Sequence, residues 1–444
     1  MKISFEKGLF ELCRKRIAEE GEVLEKVDYQ RFQEYRKDKL RQTLRHVNEN
    51  SRFYQKQFEQ CGLAPEDIKD FDELQQLPFT FPEDIRTNGY EFLCISQRNV
   101  ERPVTFYSSG TTGFKKRLFF STKDVIHIME FIAMAMNSIV NSKDTRILSL
   151  MTNSQGRGAS DLYARSVRMT GMEAVVADIQ NASKELLELS IRANCNVWFG
   201  DITTIYRLAK EMEQEINLDP LGMKLLFVTM GNISIPVKNY LETLFQCPVI
   251  THYGLTEVGW GFAIDCEEGN GYDSNELDVY TEIIDPQTGI RLPDGEVGEL
   301  TYTLIGREAM PLIRYRCGDL AYKISSNEDR HLDIIGPIVR RIEGSIEIKE
   351  GHWIYPAMLE EILYTHQEVV DYRPYIDGNR LIIYVEIYRE QKGVAKQLED
   401  DLMKNADIQL MAPPRIIVVP SDTLKKFCYE KKQIKEWEMA GEIW

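Results

Sequence analysis

The chain has 444 residues, of which 43% are hydrophobic and 28% are charged, and these values exclude a largely disordered, collagen-like or coiled-coil protein. Its 54 Lys and Arg residues against 70 Asp and Glu residues give a net charge of −16, which repels phosphate backbones and argues against nucleic-acid binding as the main role. A small anionic ligand is compatible with this charge, because local hydrogen-bond donors can outweigh the overall field at one site.

The sequence shows no feature of export or of membrane insertion. Residues 1–7 lack the apolar core of a signal peptide. The most apolar stretch, residues 126–140, contains His127, Glu130 and Asn137 and is shorter than the roughly 20 residues of a membrane span. The eight cysteines are scattered, without a Cys-x-x-Cys pair or a zinc-like spacing. We therefore expect a reduced, cytoplasmic protein that does not associate with membranes.

The first sixty residues are expected to be helical, since apolar residues between Tyr29 and Val47 recur at spacings of three to five. From about residue 146, short apolar runs alternate with helical patterns, which predicts an α/β fold with a mostly parallel sheet covered by helices. Strands of this sheet are expected at residues 196–199, 225–228 and 248–250. Turn sequences after residue 279 predict an antiparallel subdomain, and a small β-barrel is one form that such a subdomain takes.

The last hundred residues form a pattern of their own. A strand near 346–348, a helix opened by Pro356, a hairpin turn at Asp377-Gly378, a polar helix and a strand at 416–419 give the order βαββαβ. This order is typical of a self-contained α+β module. We therefore predict two domains, residues 1–340 and residues 341–444, joined by one short segment.

The segment from Tyr107 to Lys116 reads Tyr-Ser-Ser-Gly-Thr-Thr-Gly-Phe-Lys-Lys. Glycines let backbone N–H groups turn toward one anion, hydroxyls add donors and lysine adds positive charge, so the segment predicts a phosphate-binding loop. Its spacing does not fit a Walker A loop, and an ordinary Ser/Thr/Gly surface loop is the alternative. The predicted phosphate-binding residues are Ser108, Ser109, Gly110, Thr111, Thr112, Gly113 and Lys116.

This segment resembles the phosphate loop of the adenylate-forming superfamily, which comprises acyl-CoA synthetases, nonribosomal-peptide adenylation domains and luciferases. Residues 253–257 (Tyr-Gly-Leu-Thr-Glu) resemble the Y-G-x-T-E motif of that family, and residues 314–319 resemble its Y-R-T-G-D motif, with Cys317 in the place of Thr. Residues 351–356 resemble the segment that opens the mobile C-terminal domain. The runs at 50–54, 77–80, 282–286 and 311–315 are similar to phenylacetate–CoA ligases.

The resemblance implies an N-terminal domain that binds ATP and a carboxylic acid, with aryl or arylacetic acids as the expected substrates. It implies activation of the acid to an acyl-AMP with release of pyrophosphate, then transfer to the thiol of coenzyme A. Thr256 would donate to the α-phosphate and Glu257 would hold Mg²⁺. The residues implied at the adenosine are Tyr253 and Gly254 of the motif, Gly231 and Asn232 at the adenine, and Asp319 and Arg341 at the ribose.

The family places a catalytic lysine in the pattern Leu-Pro-x-Thr-x-x-Gly-Lys. Residues 424–431 keep this spacing but lose Pro, Thr and Gly, so Lys431 is the candidate and Lys432 the fallback. The alternative is that the five lysines between residues 425 and 435 form a solvated basic tail. Glu343 is the candidate hinge residue before the C-terminal domain.

The substrate acid is the least determined part of the prediction. Four aromatic residues near the motifs are candidates for an aryl slot, with core packing as the alternative: Phe106, Trp198, Trp260 and Phe262. Cys266 stands in an element similar to one of the subfamily, but the His usually found after it is absent, so we predict no metal there.

Three other functions remain open. A stand-alone adenylation enzyme would load the acyl group onto the phosphopantetheine of a carrier protein. A related synthetase would transfer AMP to a deazaflavin-type cofactor. A catalytically weak protein would bind nucleotide without turnover, which the altered lysine motif motivates. Self-association into a homodimer also remains open.

Overall fold

The computed structural model describes most of the chain, and its described residues form two compact units. The residues described are 4–107, 115–140, 144–151, 158–179, 181, 183–213, 221–229, 233–266, 271–325, 330–389, 392–408, 410, 412–427, 432–438 and 441. The first unit comprises residues 1–144, 165–172 and 253–337, and the second comprises residues 145–164, 173–252 and 338–444.

The helices confirm the helical pattern expected for the first sixty residues. In chain order the helices are α1 (Phe5–Glu19), α2 (Tyr29–Asn50), α3 (Arg52–Cys61), α4 (Pro82–Asn88), α5 (Thr122–Ile139), α6 (Ala159–Arg168), α7 (Ser183–Arg192), α8 (Ile202–Met212), α9 (Ile235–Phe245), α10 (Pro356–Leu363) and α11 (Val394–Lys404). Among the helices that the structure describes, none combines the length and the apolarity needed to cross a bilayer.

The strands alternate with these helices in the middle of the chain, as the apolar runs predict. In chain order the strands are β1 (Val100–Tyr107), β2 (Lys115–Ser121), β3 (Arg146–Leu150), β4 (Glu173–Val176), β5 (Val197–Asp201), β6 (Leu225–Thr229), β7 (Val249–Tyr253), β8 (Ala263–Asp265), β9 (Tyr272–Ser274), β10 (Val279–Ile284), β11 (Gly298–Leu304), β12 (Tyr315–Ala321), β13 (Lys323–Ile324), β14 (Ile334–Ile335), β15 (Arg340–Arg341), β16 (Ile346–Lys349), β17 (His352–Ile354), β18 (Val369–Asp377), β19 (Arg380–Ile387), β20 (Arg415–Val419) and β21 (Lys435–Glu436).

The first unit contains antiparallel strand pairs that carry most of the predicted motifs. Strands β1 and β2 pair antiparallel, with Tyr107 opposite Lys115, so the predicted phosphate-binding segment connects two paired strands. Strands β10, β11 and β12 form an antiparallel sheet. Within the described residues this sheet is open, which corrects the barrel-like form expected from the turn sequences, because so few strands cannot wrap into a closed barrel.

The second unit is built on the parallel strands predicted from the sequence. The strands lie in the order β4-β3-β5-β6-β7, and each neighbouring pair is parallel. Every residue of β5 and β6 is buried, as expected for parallel strands covered on both faces. Asp201 ends β5 and caps α8, since its carboxylate accepts a hydrogen bond of 2.8 Å from the Thr204 backbone N–H.

The C-terminal segment of the second unit follows the predicted strand and helix order. Its sheet has the order β20-β19-β18-β21, and β18 and β19 meet at the Asp377-Gly378 turn, where Gly378 has a φ of +55°. This segment packs on α8, where Tyr206 donates a 3.2 Å hydrogen bond to the carbonyl of Val369 and its ring lies 5.1 Å from that of Tyr364. The division of the chain at residue 340 stays a prediction.

Candidate active site

The Tyr253–Glu257 motif forms a tight turn directly after β7. The backbone N–H of Val258 donates to the carbonyl of Leu255, and that of Gly259 donates to the carbonyl of Thr256. Gly259 has a φ of +103°, and a Cβ there would lie 2.8 Å from the side chain of Ile128. Glycine is therefore required at this position, and the turn places Thr256 half-buried and Glu257 buried.

Two buried side chains from different strands of the first unit meet at the buried carboxylate of Glu257. The Lys116 Nζ atom, from β2, lies 2.8 Å from Glu257 Oε1. The Tyr315 hydroxyl, from β12, donates to the same oxygen at 2.9 Å and lies 3.0 Å from Lys116 Nζ. Lys116, Glu257 and Tyr315 are 8%, 7% and 1% exposed. Lysine and glutamate are seldom buried unless they are paired, and here the pair is completed by a hydroxyl.

The charge of Lys116 keeps Glu257 ionised. Burial by itself would raise the pKa of the Glu257 carboxyl, but the Lys116 ammonium and the hydrogen bonds from Lys116 and Tyr315 outweigh it, so this pKa lies below its usual value. Arg307 supports the backbone of the same turn, since its Nη2 donates to the carbonyl of Val258 at 2.9 Å. The site therefore holds a fixed, negatively charged oxygen donor.

An ionised carboxylate fits a magnesium ion, which prefers hard oxygen ligands. In the part of the chain that the structure describes, no group of three or more His, Cys, Asp or Glu side chains could hold a metal by itself. Magnesium at nucleotide sites is usually bound by one or two carboxylates together with phosphate oxygens. Glu257 suits that mode, in which the nucleotide supplies the remaining ligands.

A second cluster in the first unit joins Tyr253 to Asp319. The Tyr253 hydroxyl donates to Asp319 Oδ2 at 2.7 Å and lies 3.0 Å from the hydroxyl of Tyr302. The Tyr253 ring is tilted against Tyr272 at 5.8 Å and meets the edge of Phe262 at 6.1 Å. Burial, and then the negative charge of Asp319, raise the pKa of Tyr253 well above its usual range. The phenol therefore stays protonated and orients the Asp319 carboxylate.

Arg314 and Cys317, also in the 314–319 motif, bind groups of the neighbouring strands β10 and β11. The Arg314 guanidinium binds both oxygens of Glu282, at 3.0 and 3.1 Å. The Cys317 thiol donates to the carbonyl of Leu300 at 3.2 Å and accepts from the Asp319 N–H at 3.4 Å. The thiol thus makes a donor and an acceptor contact, as the hydroxyl of Thr would, which accounts for the exchange of Thr for Cys.

The structure brings together two pairs of predicted residues, Lys116 with Glu257 and Tyr253 with Asp319. Gly254 and Thr256 lie in the turn beside them, whereas Arg341 lies in β15 of the second unit. The predicted residues that lie outside the described part of the chain are Ser108, Ser109, Gly110, Thr111, Thr112, Gly113, Gly231, Asn232 and Lys431.

Lys432, the fallback for the catalytic lysine, is held in the C-terminal segment. Its Nζ atom lies 2.9 Å from Asp371 Oδ1 and 2.8 Å from the hydroxyl of Tyr364, and it faces the ring of Tyr372 at 4.4 Å. Burial would raise the pKa of Asp371, but Lys432, Arg373 and Arg207 together lower it. The ammonium of Lys432 thus stabilises a buried carboxylate, and Lys431 remains the predicted catalytic lysine.

The aromatic candidates for the aryl slot differ in how deeply they are buried. Trp198 and Phe262 are core residues, with the Trp198 indole N–H donating to Ser190 at 2.9 Å. Trp260 is half-buried and stacks on Phe120 at 4.9 Å. The side chain of Phe106 lies outside the described residues.

Sequence reasoning missed Tyr302, Arg307 and Tyr315 as residues of the site. Tyr315 stands inside the 314–319 motif, so its position was the one available signal. Tyr302 and Arg307 lie outside the motifs, and only the packing of the first unit reveals their contacts.

Comparison with known proteins finds a matching family and similar sequences. Residues 96–306 match the family described as "AMP-binding enzyme". The chain is 28% identical to the phenylacetate–coenzyme A ligase of Pseudomonas putida, over 84% of this chain and 85% of that protein. It is also 28% identical to the enzyme of the same name from Aromatoleum evansii, over 86% of this chain and 89% of that protein.

The fold is similar to that of a solved structure. A 2-hydroxyisobutyryl-CoA ligase in the postadenylation state superposes with a TM-score of 0.79 and 17% identity, covering 93% of this chain and 92% of that chain. The matched region 96–306 contains Lys116, the Tyr253–Glu257 turn and Tyr302. Residues 96–306 thus match the AMP-binding enzyme family, and the chain is similar to phenylacetate–coenzyme A ligases over most of its length.

Proposed function

We propose that the protein is an AMP-forming acid–CoA ligase. A carboxylate oxygen of the substrate attacks the α-phosphorus of ATP, and pyrophosphate leaves with the electrons of the broken P–O bond. The thiol of coenzyme A then attacks the carbonyl carbon of the acyl-AMP, loses its proton and displaces AMP. The first step brings two anions together, so the site must offset negative charge where it develops.

The phosphate end of ATP is assigned to the first unit. Lys116 and the hydroxyls and glycines of residues 108–113 bind the phosphates that leave as pyrophosphate, and Thr256 donates to the α-phosphate. Glu257 would hold Mg²⁺, which when bound with ATP neutralises phosphate charge. The ionised, buried carboxylate described above supports this assignment.

The adenosine end is assigned to the second cluster. Tyr253 lies against the adenine, and Gly254, Gly231 and Asn232 complete the surroundings of the base. Asp319 accepts hydrogen bonds from the ribose hydroxyls, with Arg341 close to the same sugar. The bond from Tyr253 to Asp319 supports this role, because it occupies Oδ2 and holds the carboxylate in one orientation.

One observation carries the proposal. Lys116 ends the predicted phosphate-binding segment and Glu257 ends the Tyr253–Glu257 motif, 141 residues later, yet their charged atoms lie 2.8 Å apart in a buried site. Two motifs that resemblance assigns separately to phosphate and to metal therefore converge, as a metal–phosphate site requires.

The acid is proposed to be an arylacetic or related aryl acid. The curated relatives are named as phenylacetate–coenzyme A ligases, and half-buried Trp260 is the described aromatic candidate that is not a core residue. Coenzyme A is the proposed acceptor, for the same reason. A cytoplasmic location, predicted from the sequence, is part of this proposal.

The test is pyrophosphate release from ATP with phenylacetate, benzoate, an indolyl acid and acetate, followed by mass spectrometry of the product. We expect acid-dependent release and an acyl-CoA. An AMP-bearing phenol or transfer only to a carrier protein would support those alternatives instead. ATP binding without acid-dependent pyrophosphate release would contradict the proposal.

Lys431 is the proposed cation of the adenylation step. Lys431→Ala should slow pyrophosphate release by at least tenfold while leaving thioester formation from supplied acyl-AMP within about twofold. Lys435→Ala, which removes another lysine of the same tail, is the matched control. Equal rates for the two variants would remove Lys431 from the mechanism and favour the solvated basic tail.

A further inference from the structure

Tyr315 and Lys116 approach the same oxygen of Glu257. The hydroxyl and the ammonium lie 2.9 and 2.8 Å from Oε1 and 3.0 Å from each other, so the three groups form a closed triangle. The two partners differ in kind, since Tyr315 is a neutral donor on a rigid aromatic side chain and Lys116 is a cation on a flexible one.

The backbone of Tyr315 is fixed from two sides. It pairs with Tyr302 of β11 in the β11–β12 ladder. On its other side it bridges to Thr80, where the Thr80 N–H donates to the carbonyl of Arg314 and the Arg316 N–H donates to the carbonyl of Thr80. A hydroxyl carried on such a strand holds its position better than one on a mobile loop.

The charges of the two donors predict different behaviour when a divalent cation binds. A buried carboxylate needs a compensating positive charge, and at Glu257 the ammonium of Lys116 supplies it. A divalent cation at Glu257 would replace that charge and repel the ammonium, whereas it would not repel a neutral hydroxyl. Lys116 would then be released toward the phosphates while Tyr315 stays bound to Oε1.

We infer that Tyr315 is a positioning residue that holds Oε1 and orients Glu257 toward the metal–nucleotide complex. Lys116 compensates the charge of Glu257 until the metal binds, and its ammonium then moves to the phosphates. This inference rests on the proposed function, in which Glu257 holds the metal. It goes further in assigning opposite roles to the two partners of the same oxygen.

The test measures the affinity for Mn²⁺ in the absence of nucleotide. Binding is detected as a loss of the electron paramagnetic resonance signal of the free ion. Tyr315→Phe removes the hydroxyl that orients Glu257, so Mn²⁺ should bind about tenfold more weakly. Lys116→Gln keeps an N–H donor but removes the competing charge, so Mn²⁺ should bind about tenfold more tightly. Opposite shifts are expected from these roles and not from general damage to the site.

The matched control is Tyr35→Phe. Tyr35 is also buried and donates its hydroxyl to a carboxylate, that of Glu20, at 3.4 Å in the same unit. The affinity of the Tyr35→Phe variant for Mn²⁺ should equal that of the wild type within twofold. Circular dichroism of each variant checks folding, and if Tyr315→Phe does not fold, the Lys116→Gln shift decides the inference alone.

A second titration separates this inference from the proposed function. Mn²⁺ is added with α,β-methylene-ATP, an analogue that cannot release pyrophosphate, and Glu257→Gln is compared with the wild type. Binding unchanged by Glu257→Gln would overturn the metal role in the proposed function. The inference alone would be overturned if Glu257→Gln abolishes binding but the other variants do not behave as expected. This is the case if Tyr315→Phe binds Mn²⁺ as Tyr35→Phe does, or if Lys116→Gln binds it no more tightly than the wild type.

Discussion

Replacing Arg207 by Met tests the buried ionic network of the second unit. Arg207 lies on α8 and is 3% exposed, and its Nη2 lies 3.2 Å from Glu386 Oε2 and 3.6 Å from Asp371 Oδ2. Both carboxylates are fully buried, on β19 and β18 of the C-terminal segment. Arg207→Met keeps most of the apolar stem but leaves these two negative charges without the guanidinium.

The magnitude follows from what remains around each carboxylate. Removing one partner of a buried ion pair costs about 3–5 kcal/mol, because the other charge stays buried. Lys432 still compensates Asp371 at 2.9 Å, and Glu386 still accepts backbone N–H bonds from Asp422 and Leu424. We therefore expect a loss at the lower end of the range, about 3 kcal/mol.

The assay is urea unfolding of the wild type, Arg207→Met, Glu386→Gln and the double variant. The double variant should lose less stability than the sum of the single variants, by about 1 kcal/mol or more, because Glu386→Gln removes a charge that Arg207→Met leaves uncompensated. Arg31→Met is the control, since its pair with Glu22 has side chains 28% and 52% exposed and should cost less than about 1 kcal/mol. An Arg207→Met variant as stable as Arg31→Met would refute the reasoning.

Three further predictions concern single positions. Burial raises the pKa of Glu360 to about 7 from a usual 4.5, despite the opposing charge of Lys432; the folded state therefore holds this proton more tightly, and stability falls as pH rises between these values. Glu360→Gln should remove this loss of stability, which amounts to up to about 3 kcal/mol in the free energy of unfolding. Thermal unfolding at pH 5 and pH 8 measures it, and the same difference in stability between the two pH values in the variant and the wild type would contradict the prediction. Gly200→Ala should destabilise by about 2 kcal/mol in urea, because its Cβ would lie 2.4 Å from the carbonyl of Leu150, whereas Gly441→Ala, with nothing within 4 Å, should not. Asp319→Asn should raise the KM for ATP about tenfold in steady-state assays, and an equal rise in the KM for the acid would argue against a ribose contact.

Local patterns in the chain predicted much of the fold. Strand and helix periodicity and the Asp377-Gly378 hairpin turn were confirmed. These features depend on contacts a few residues apart, so a single sequence contains them. The barrel-like form expected after residue 279 was wrong, because sheet closure depends on how many strands pair and not on the turns between them.

The sequence alone also determined the family motifs and their order, and hence which residue types would meet a nucleotide. Only the tertiary structure decided which of them touch. Tyr315 reaches Glu257 across 58 residues and Lys116 reaches it across 141, through strand register and burial that no local pattern encodes. Tertiary packing in the second unit likewise places Lys432 beside the buried carboxylate of Asp371. Which charge a side chain neutralises depends on the elements that pack around it.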